Sequence, residues 1–213
     1  NVRAAQVLLR QNKFDVARER IVNARAKLPG DVRLVVAESQ LLRDAGRHDD
    51  AYAYLVKALE AQPDQPDILY ETALAAEKLG HLDLLERHLR RLIELQPKSP
   101  QGYNALGYSL ADRNLRLDEA ASLVDKALAL SPNDPYILDS KGWVMFRQGK
   151  LAAALDVLRK AYDKRPDAEI AAHIGEVLWA LGRQDMAMDI WREATKAHPK
   201  NEALAATIKR FAK

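Results

Sequence analysis

The chain has 213 residues and no cysteine, which excludes disulfides, zinc-thiolate sites and thiol nucleophiles together. Charged residues make up 30% of it yet the net charge is only +3, so the concentrated basic face of a dedicated nucleic-acid binder is not expected. No stretch approaches the roughly 20 consecutive apolar residues of a membrane-spanning helix, and no signal peptide is visible.

Internal periodicity is the main signal. Six prolines, Pro29, Pro63, Pro97, Pro132, Pro166 and Pro199, recur at intervals of 34, 34, 35, 34 and 33 residues. Twelve places before each stand Ala17, Ala51, Leu85, Ala120, Ala154 and Ala187, and five places before each stand Ala24, Ala58, Leu92, Ala127, Ala161 and Ala194. A third column reads Ala5, Ser39, Ala73, Gly107, Gly142 and Gly175. Linked columns at a period near 34 are the mark of a repeat architecture in which each unit buries its apolar face against its neighbours.

These columns resemble the tetratricopeptide repeat, most closely in LGYSLADRNLRLDEAASLVDKALALSP and KGWVMFRQGKLAAALDVLRKAYDKRP. The resemblance implies an all-α solenoid, a right-handed superhelix of about six repeats, each made of antiparallel helices A and B. In chain order the repeats run 1–31, 32–65, 66–99, 100–134, 135–167 and 168–201. The small columns fall where A crosses B and a larger side chain would push the axes apart. The turn from A to B needs a residue that tolerates the left-handed region, and Asn12, Gly46, Gly80, Asn114, Gly149 and Gly182 supply it. Prolines end each helix B, and Ser99-Pro100 and Asp134-Pro135 read as an N-cap followed by proline in the first turn. Repeat four carries one extra residue near Leu115. Two positions depart from an apolar helix-A column, Glu38 and Lys141. Leu85 and Leu92 replace both helix-B alanines of repeat three, where a different packing angle is expected. Residues 202–213 form a last amphipathic helix, with Leu204, Ile208 and Phe211 on one face and Lys209, Arg210 and Lys213 elsewhere, as a capping helix requires. No such cap stands at the other end, and further repeats are expected before Asn1.

Catalytic patterns are absent. The five histidines, His48, His81, His88, His173 and His198, form no zinc-protease motif, and His81 with His88 lacks a third ligand nearby. Gly102 and Gly107 are isolated, not a phosphate loop. The run Arg87-His88-Leu89-Arg90-Arg91 on helix B of repeat three reads as a solvated face. The expectation is a protein without enzymatic activity, metal or cofactor.

Helix A of each repeat is expected to line the concave groove through its second, fifth, ninth and twelfth positions, which share a face. In repeat five these are Tyr136, Asp139, Trp143 and Phe146. Tyr70, Tyr108 and Trp179 join from repeats three, four and six, among the polar groups of Asn104, Arg147, His173 and Glu176. Aromatic anchors beside a few fixed polar groups are what peptide-binding hot spots are made of. The competing reading is that Trp143 and Trp179 fill gaps between neighbouring A helices. Chaperone-binding members of the family hold an acidic tail with lysine at the fifth position. Here that position carries Val2, Val36, Tyr70, Asn104, Asp139 and Ala172, so that role is not expected.

Three stretches, YNALGYSLADRNLRLDEA, DPYILDSKGWVMFRQGKLAAAL and EIAAHIGEVLWALGRQDMAMDIW, resemble the C-terminal half of proteobacterial tetratricopeptide-repeat outer-membrane lipoproteins. That group includes the adaptor of a periplasmic carboxyl-terminal processing protease, which helps deliver cell-wall hydrolases for degradation. The resemblance implies a scaffold on the periplasmic face of the outer membrane. Its partners would be such a protease and its hydrolase substrates. It implies no nucleic-acid partner, and membrane contact only through a lipid anchor outside this sequence. The alternative is a structural scaffold in an envelope assembly such as pilus or polysaccharide export machinery.

Overall fold

The computed structural model describes residues 4, 5, 7, 8, 11 and 13–211. Val2, Asn12 and Lys213, named above, lie outside them. Twelve helices are bounded among the described residues: α1 (Phe14–Lys27), α2 (Val32–Asp44), α3 (His48–Ala61), α4 (Pro66–Lys78), α5 (Leu82–Leu95), α6 (Pro100–Asp112), α7 (Leu117–Leu130), α8 (Pro135–Arg147), α9 (Leu151–Lys164), α10 (Ala168–Ala180), α11 (Gln184–Ala197) and α12 (Glu202–Phe211). The protein is all-α, with helices stacked in tetratricopeptide-like pairs that make about six repeats. The chain divides into two compact units, residues 1–97 and 98–213.

Helix ends follow from local chemistry. Each B helix stops two residues before its proline, as at Lys27 before Pro29 and Lys164 before Pro166, because the residue ahead of a proline is pushed out of the helical region. The five described A-to-B turns share one geometry. In the first, Gly46 sits at φ 73°, its N–H donates to the Arg43 carbonyl, and the Arg47 N–H donates to the Leu42 carbonyl. Asn114 takes the same place at φ 57°, with its N–H on the Ala111 carbonyl and the Leu115 N–H on the Leu110 carbonyl. This is the Schellman arrangement, which satisfies helix-end carbonyls and needs a left-handed residue. The extra residue of repeat four is absorbed just beyond, where Arg116 at φ 43° precedes α7. Asp31, Asp134 and Asp167 cap the helices that follow them, Asp134 through bonds from Tyr136 N and Ile137 N. Ser99 occupies the cap position ahead of α6 but makes no side-chain cap bond, contrary to the expectation; Pro100 opens that helix without it.

Packing within a pair is set by the small helix-A column. A Cβ at Gly107 would stand 2.6 Å from Val124 Cγ2, and one at Gly142 would stand 2.5 Å from Leu158 Cγ. At Gly175 it would run into the Trp191 indole. In the first unit, buried Ser39 and Ala73 hold this column, and Leu55 and Leu89 are the buried helix-B residues in register with Val124, Leu158 and Trp191. Leu85 and Leu92 of α5 are both buried, as are Ala73, Ala75 and Ala76 of α4.

The two charges in apolar columns are paired across to the preceding helix B. Glu38 is 1% exposed and is approached by Arg18 and Arg25 of α1, each at 3.4 Å. Burial and the Glu38 carboxylate together push the neighbouring Tyr54 phenol well above its usual range. Lys141 on α8 reaches Asp125 of α7 at 2.6 Å. The basic run on α5 is likewise engaged: Arg90 pairs with Glu86, and Arg91 pairs with Asp64 and Glu94.

In residues 98–213 a continuous core runs through α9, α10 and α11 to Leu204 of α12. Trp179, Trp191 and Phe211 form a mutually contacting trio with centroids 5.4–5.9 Å apart, so α12 covers an aromatic end that would otherwise face water.

Gly142→Leu should overpack the contact with Leu158 and lower stability by about 1–3 kcal/mol or more. Urea denaturation measures it; an unchanged midpoint would contradict the crossing assigned to Gly142.

Candidate functional site

Helix A supplies the site because its residues at spacings of three and four share one face. In residues 98–213 the structure brings together Tyr108 of α6, Asp139, Trp143, Phe146 and Arg147 of α8, and His173 of α10. His173 Nδ1 donates to the Asp139 carboxylate, 2.9 Å and 3.0 Å from its two oxygens. The Tyr108 hydroxyl lies 3.4 Å from His173 Nε2. Trp143 stacks on the imidazole, with centroids 4.1 Å apart and planes 21° from parallel. Phe146 tilts against Trp143 at 5.0 Å, and the Arg147 guanidinium stands 5.8 Å from the Trp143 ring centre.

Asp139 and His173 are both buried. Burial alone would lower the His173 pKa, but the Asp139 carboxylate and the more distant charges of Glu176 and Glu169 outweigh it and raise it. Glu176 is also buried and forms an ion pair with Arg210 of α12. Burial raises its carboxyl, while Arg210 and His173 pull it partly back. Arg210 was not legible as a site residue. It lies 34 places beyond Glu176, so the repeat period continued into the cap was its only signal.

The remaining candidates separate. Trp143 is 4% exposed and does not stand open in the groove as an aromatic anchor: the indole fills the space between α8 and α10, as the competing reading had it. Trp179 packs with Trp191 and Phe211 under the cap instead of joining Trp143. Tyr136 is 46% exposed, with the Arg165 guanidinium over its ring at 5.1 Å. Tyr108, Phe146, Asn104 and Arg147 are half-buried. Tyr70 is half-buried on α4 in the other unit. Three polar atoms on this helix-A set, Asn104 Oδ1, Trp143 Nε1 and Arg147 Nε, are buried without a hydrogen-bond partner. Buried polar atoms normally have one, and five further atoms of this kind, on Glu38, Arg43, His48, Tyr54 and Glu71, lie in residues 1–97, so they do not single out this face; its accessible part is Tyr136 with the half-buried Asn104, Tyr108, Phe146 and Arg147. Among the described residues no three His, Asp or Glu side chains gather as a metal site would need.

The tetratricopeptide-repeat family model matches residues 36–84, 85–135 and 140–202. A TPR repeat-containing protein of Pseudomonas aeruginosa, PA4667, is 42% identical over 176 residues, which cover 82% of this chain and 30% of that protein. The chain spans less than a third of the length of the first curated relatives it matches. Among solved structures, the thermophilic TPR protein TTC0263 of Thermus thermophilus superposes with a TM-score of 0.75 at 25% identity, over 84% of this chain and 96% of that one. PilW, a type IV pilus biogenesis factor, gives 0.74 at 16% identity over 97% and 96%, a likeness of fold alone.

Trp143→Ala should lower stability by about 3–5 kcal/mol, as for a buried aromatic; urea denaturation reads this directly, and a loss under about 1 kcal/mol would return the ring to the solvent-accessible reading. His173 gives a pH signature. Its pKa is raised in the folded state above about 6.5 in the unfolded chain. Its contribution to stability is therefore complete below about pH 6.5 and is lost as pH rises through the folded value. A proton NMR titration should place the His173 midpoint above 6.5, and Asp139→Asn should move it down.

Proposed function

We propose, on the premise that the chain belongs to the tetratricopeptide-repeat family and is a protein-protein interaction scaffold, that it is the docking part of a bacterial envelope adaptor. It would hold a periplasmic carboxyl-terminal processing protease, or that protease's cell-wall hydrolase substrates, on the helix-A face of residues 98–213. The adaptor performs no reaction itself and stands on the periplasmic side of the outer membrane through a lipid anchor outside this sequence.

The observation that carries the docking assignment is the accessible mixed surface of Tyr136 with half-buried Asn104, Tyr108, Phe146 and Arg147 on this helix-A face. An extended peptide presents main-chain N–H and carbonyl groups at regular spacing. Its main-chain groups can pair with the half-buried amide of Asn104 and guanidinium of Arg147. Tyr136 and Phe146 add aromatic surface beside them. The buried Trp143, His173 and Asp139 cluster lies beneath as a rigid support, which limits the entropy lost when a partner is held. The protease assignment is supported by the resemblance of the three helix-A and helix-B stretches to the lipoprotein group.

Asn104→Ala removes a half-buried amide that makes no side-chain hydrogen bond within the chain, so melting should stay nearly unchanged. The affinity for the protein co-purified from a periplasmic fraction should fall about tenfold, the equivalent of one good polar contact. Mass spectrometry of that fraction identifies the partner. A carboxyl-terminal processing protease or cell-wall hydrolases in the eluate would support the adaptor, whereas pilus or export subunits would replace it with the envelope-assembly scaffold.

A further inference from the structure

On the helix-B side of residues 98–213 a cleft of about 500 Å³ is walled by α9 and α11 and floored by α10. Its volume falls in the range of small binding sites, roughly 300–1,000 Å³. Ile174 and Leu178 form the floor, and Tyr162, Met186 and Ile190 form the walls. Met186 is 45% exposed at the start of α11 and puts a flexible apolar side chain on the cleft lining. Asp163, Asp189 and Glu193 rim the cleft against a single cation, Arg159.

The repeat register shows how this chemistry differs from place to place. The equivalent cleft between α1 and α3, about 540 Å³, has Glu38 where this one has Ile174, Tyr54 for Ile190, Lys57 for Glu193 and Arg25 for Tyr162. At the same column in the repeat before Ile174, Lys141 turns to Asp125. The backbone therefore permits a cleft here in more than one repeat, and side chains decide its character. The apolar floor under an acidic rim comes from the particular residues of α9 to α11.

We propose that this cleft docks a segment of a partner protein in which apolar side chains are flanked by lysine or arginine. The apolar side chains bury against Ile174, Leu178 and Ile190 and cover Met186, the burial of apolar surface being the driving force. The flanking cations take up Asp163, Asp189 and Glu193. Two of these now hold exposed intrahelical pairs, Asp189 with Arg192 and Glu193 with Lys196, both at 2.8 Å. Such pairs are weak in water, so exchanging them for a partner's cation costs little, and the acidic rim selects against acidic partners. The assignment concerns the helix-B face and does not rest on the docking reading of Asn104 and Arg147.

The test is a two-dimensional amide NMR titration of the whole chain with a synthetic peptide of alternating leucine and lysine pairs, and with the same peptide carrying glutamate for lysine. The lysine peptide should shift amides around Tyr162, Leu178 and Ile190, and the glutamate peptide should not. Met186→Asp places a carboxylate at an already exposed position and should keep the native spectrum while weakening binding at least about tenfold. Asp189→Lys combined with Glu193→Lys should weaken it as much, through charge alone. Absence of cleft shifts at millimolar lysine peptide, equal binding of the glutamate peptide, or unchanged affinity in both variants overturns the proposal. Self-association at high concentration that Met186→Asp abolishes also overturns it, assigning the cleft to a second copy of the chain.

Discussion

The helix pairs of residues 98–213 depend on how closely helix A approaches helix B, and that distance is set by one column of side chains. Gly107, Gly142 and Gly175 face Val124, Leu158 and Trp191 at separations that leave no room for a Cβ. The partner grows from valine to leucine to tryptophan along the second unit, and it can do so because glycine yields the same volume each time. At Gly175 the consequence extends further. The Trp191 indole lies over the glycine, donates to the Ala172 carbonyl at 3.3 Å, and meets Trp179 and Phe211 beyond it. The close crossing thus positions the aromatic end that α12 covers.

Apolar columns hold each repeat together, whereas buried charges link one repeat to the next. Glu38 is met by Arg18 and Arg25, Glu71 by Arg43 and Gln40, Asp139 by His173, and Glu176 by Arg210. In each case the partner comes from the adjoining repeat or the cap. Desolvating these groups offsets much of their mutual attraction, so they add little net stability when intact. Losing one partner strands a buried charge, which makes the pairs strong determinants of register between neighbours. Apolar contacts alone are non-directional and would tolerate sliding.

The same division separates the two candidate surfaces. On the helix-A side, the stack of Trp143 on His173 is buried, and the half-buried Asn104 and Arg147 beside it give directional capacity. On the helix-B side, the α9–α11 cleft offers apolar surface rimmed by the carboxylates of Asp163, Asp189 and Glu193. A scaffold with one directional and one apolar-acidic surface is equipped to distinguish partners by chemistry as well as by shape.

Sequence alone determined the repeat and its local devices. The period of 34 fixed the helix pairs, and the left-handed turn residues Gly46, Gly80, Asn114, Gly149 and Gly182 were legible because their requirement is local backbone sterics. So was the small column, since a crossing distance repeats whenever its residues do. Helix-A spacing also placed Asp139, Trp143 and Phe146 on one face. What spacing did not contain was the environment of that face. Burial of Trp143 follows from His173, which arrives from the next repeat and covers the indole, and Trp179 is claimed by Trp191 and Phe211 instead of by the site. Ser99 failed as a cap although its residue type suited the role. Arg210 and the α9–α11 cleft were likewise decided by packing. Periodicity reports which way a side chain faces along its own helix, and only the neighbouring helix decides whether that direction leads to water, to a charge or to another ring.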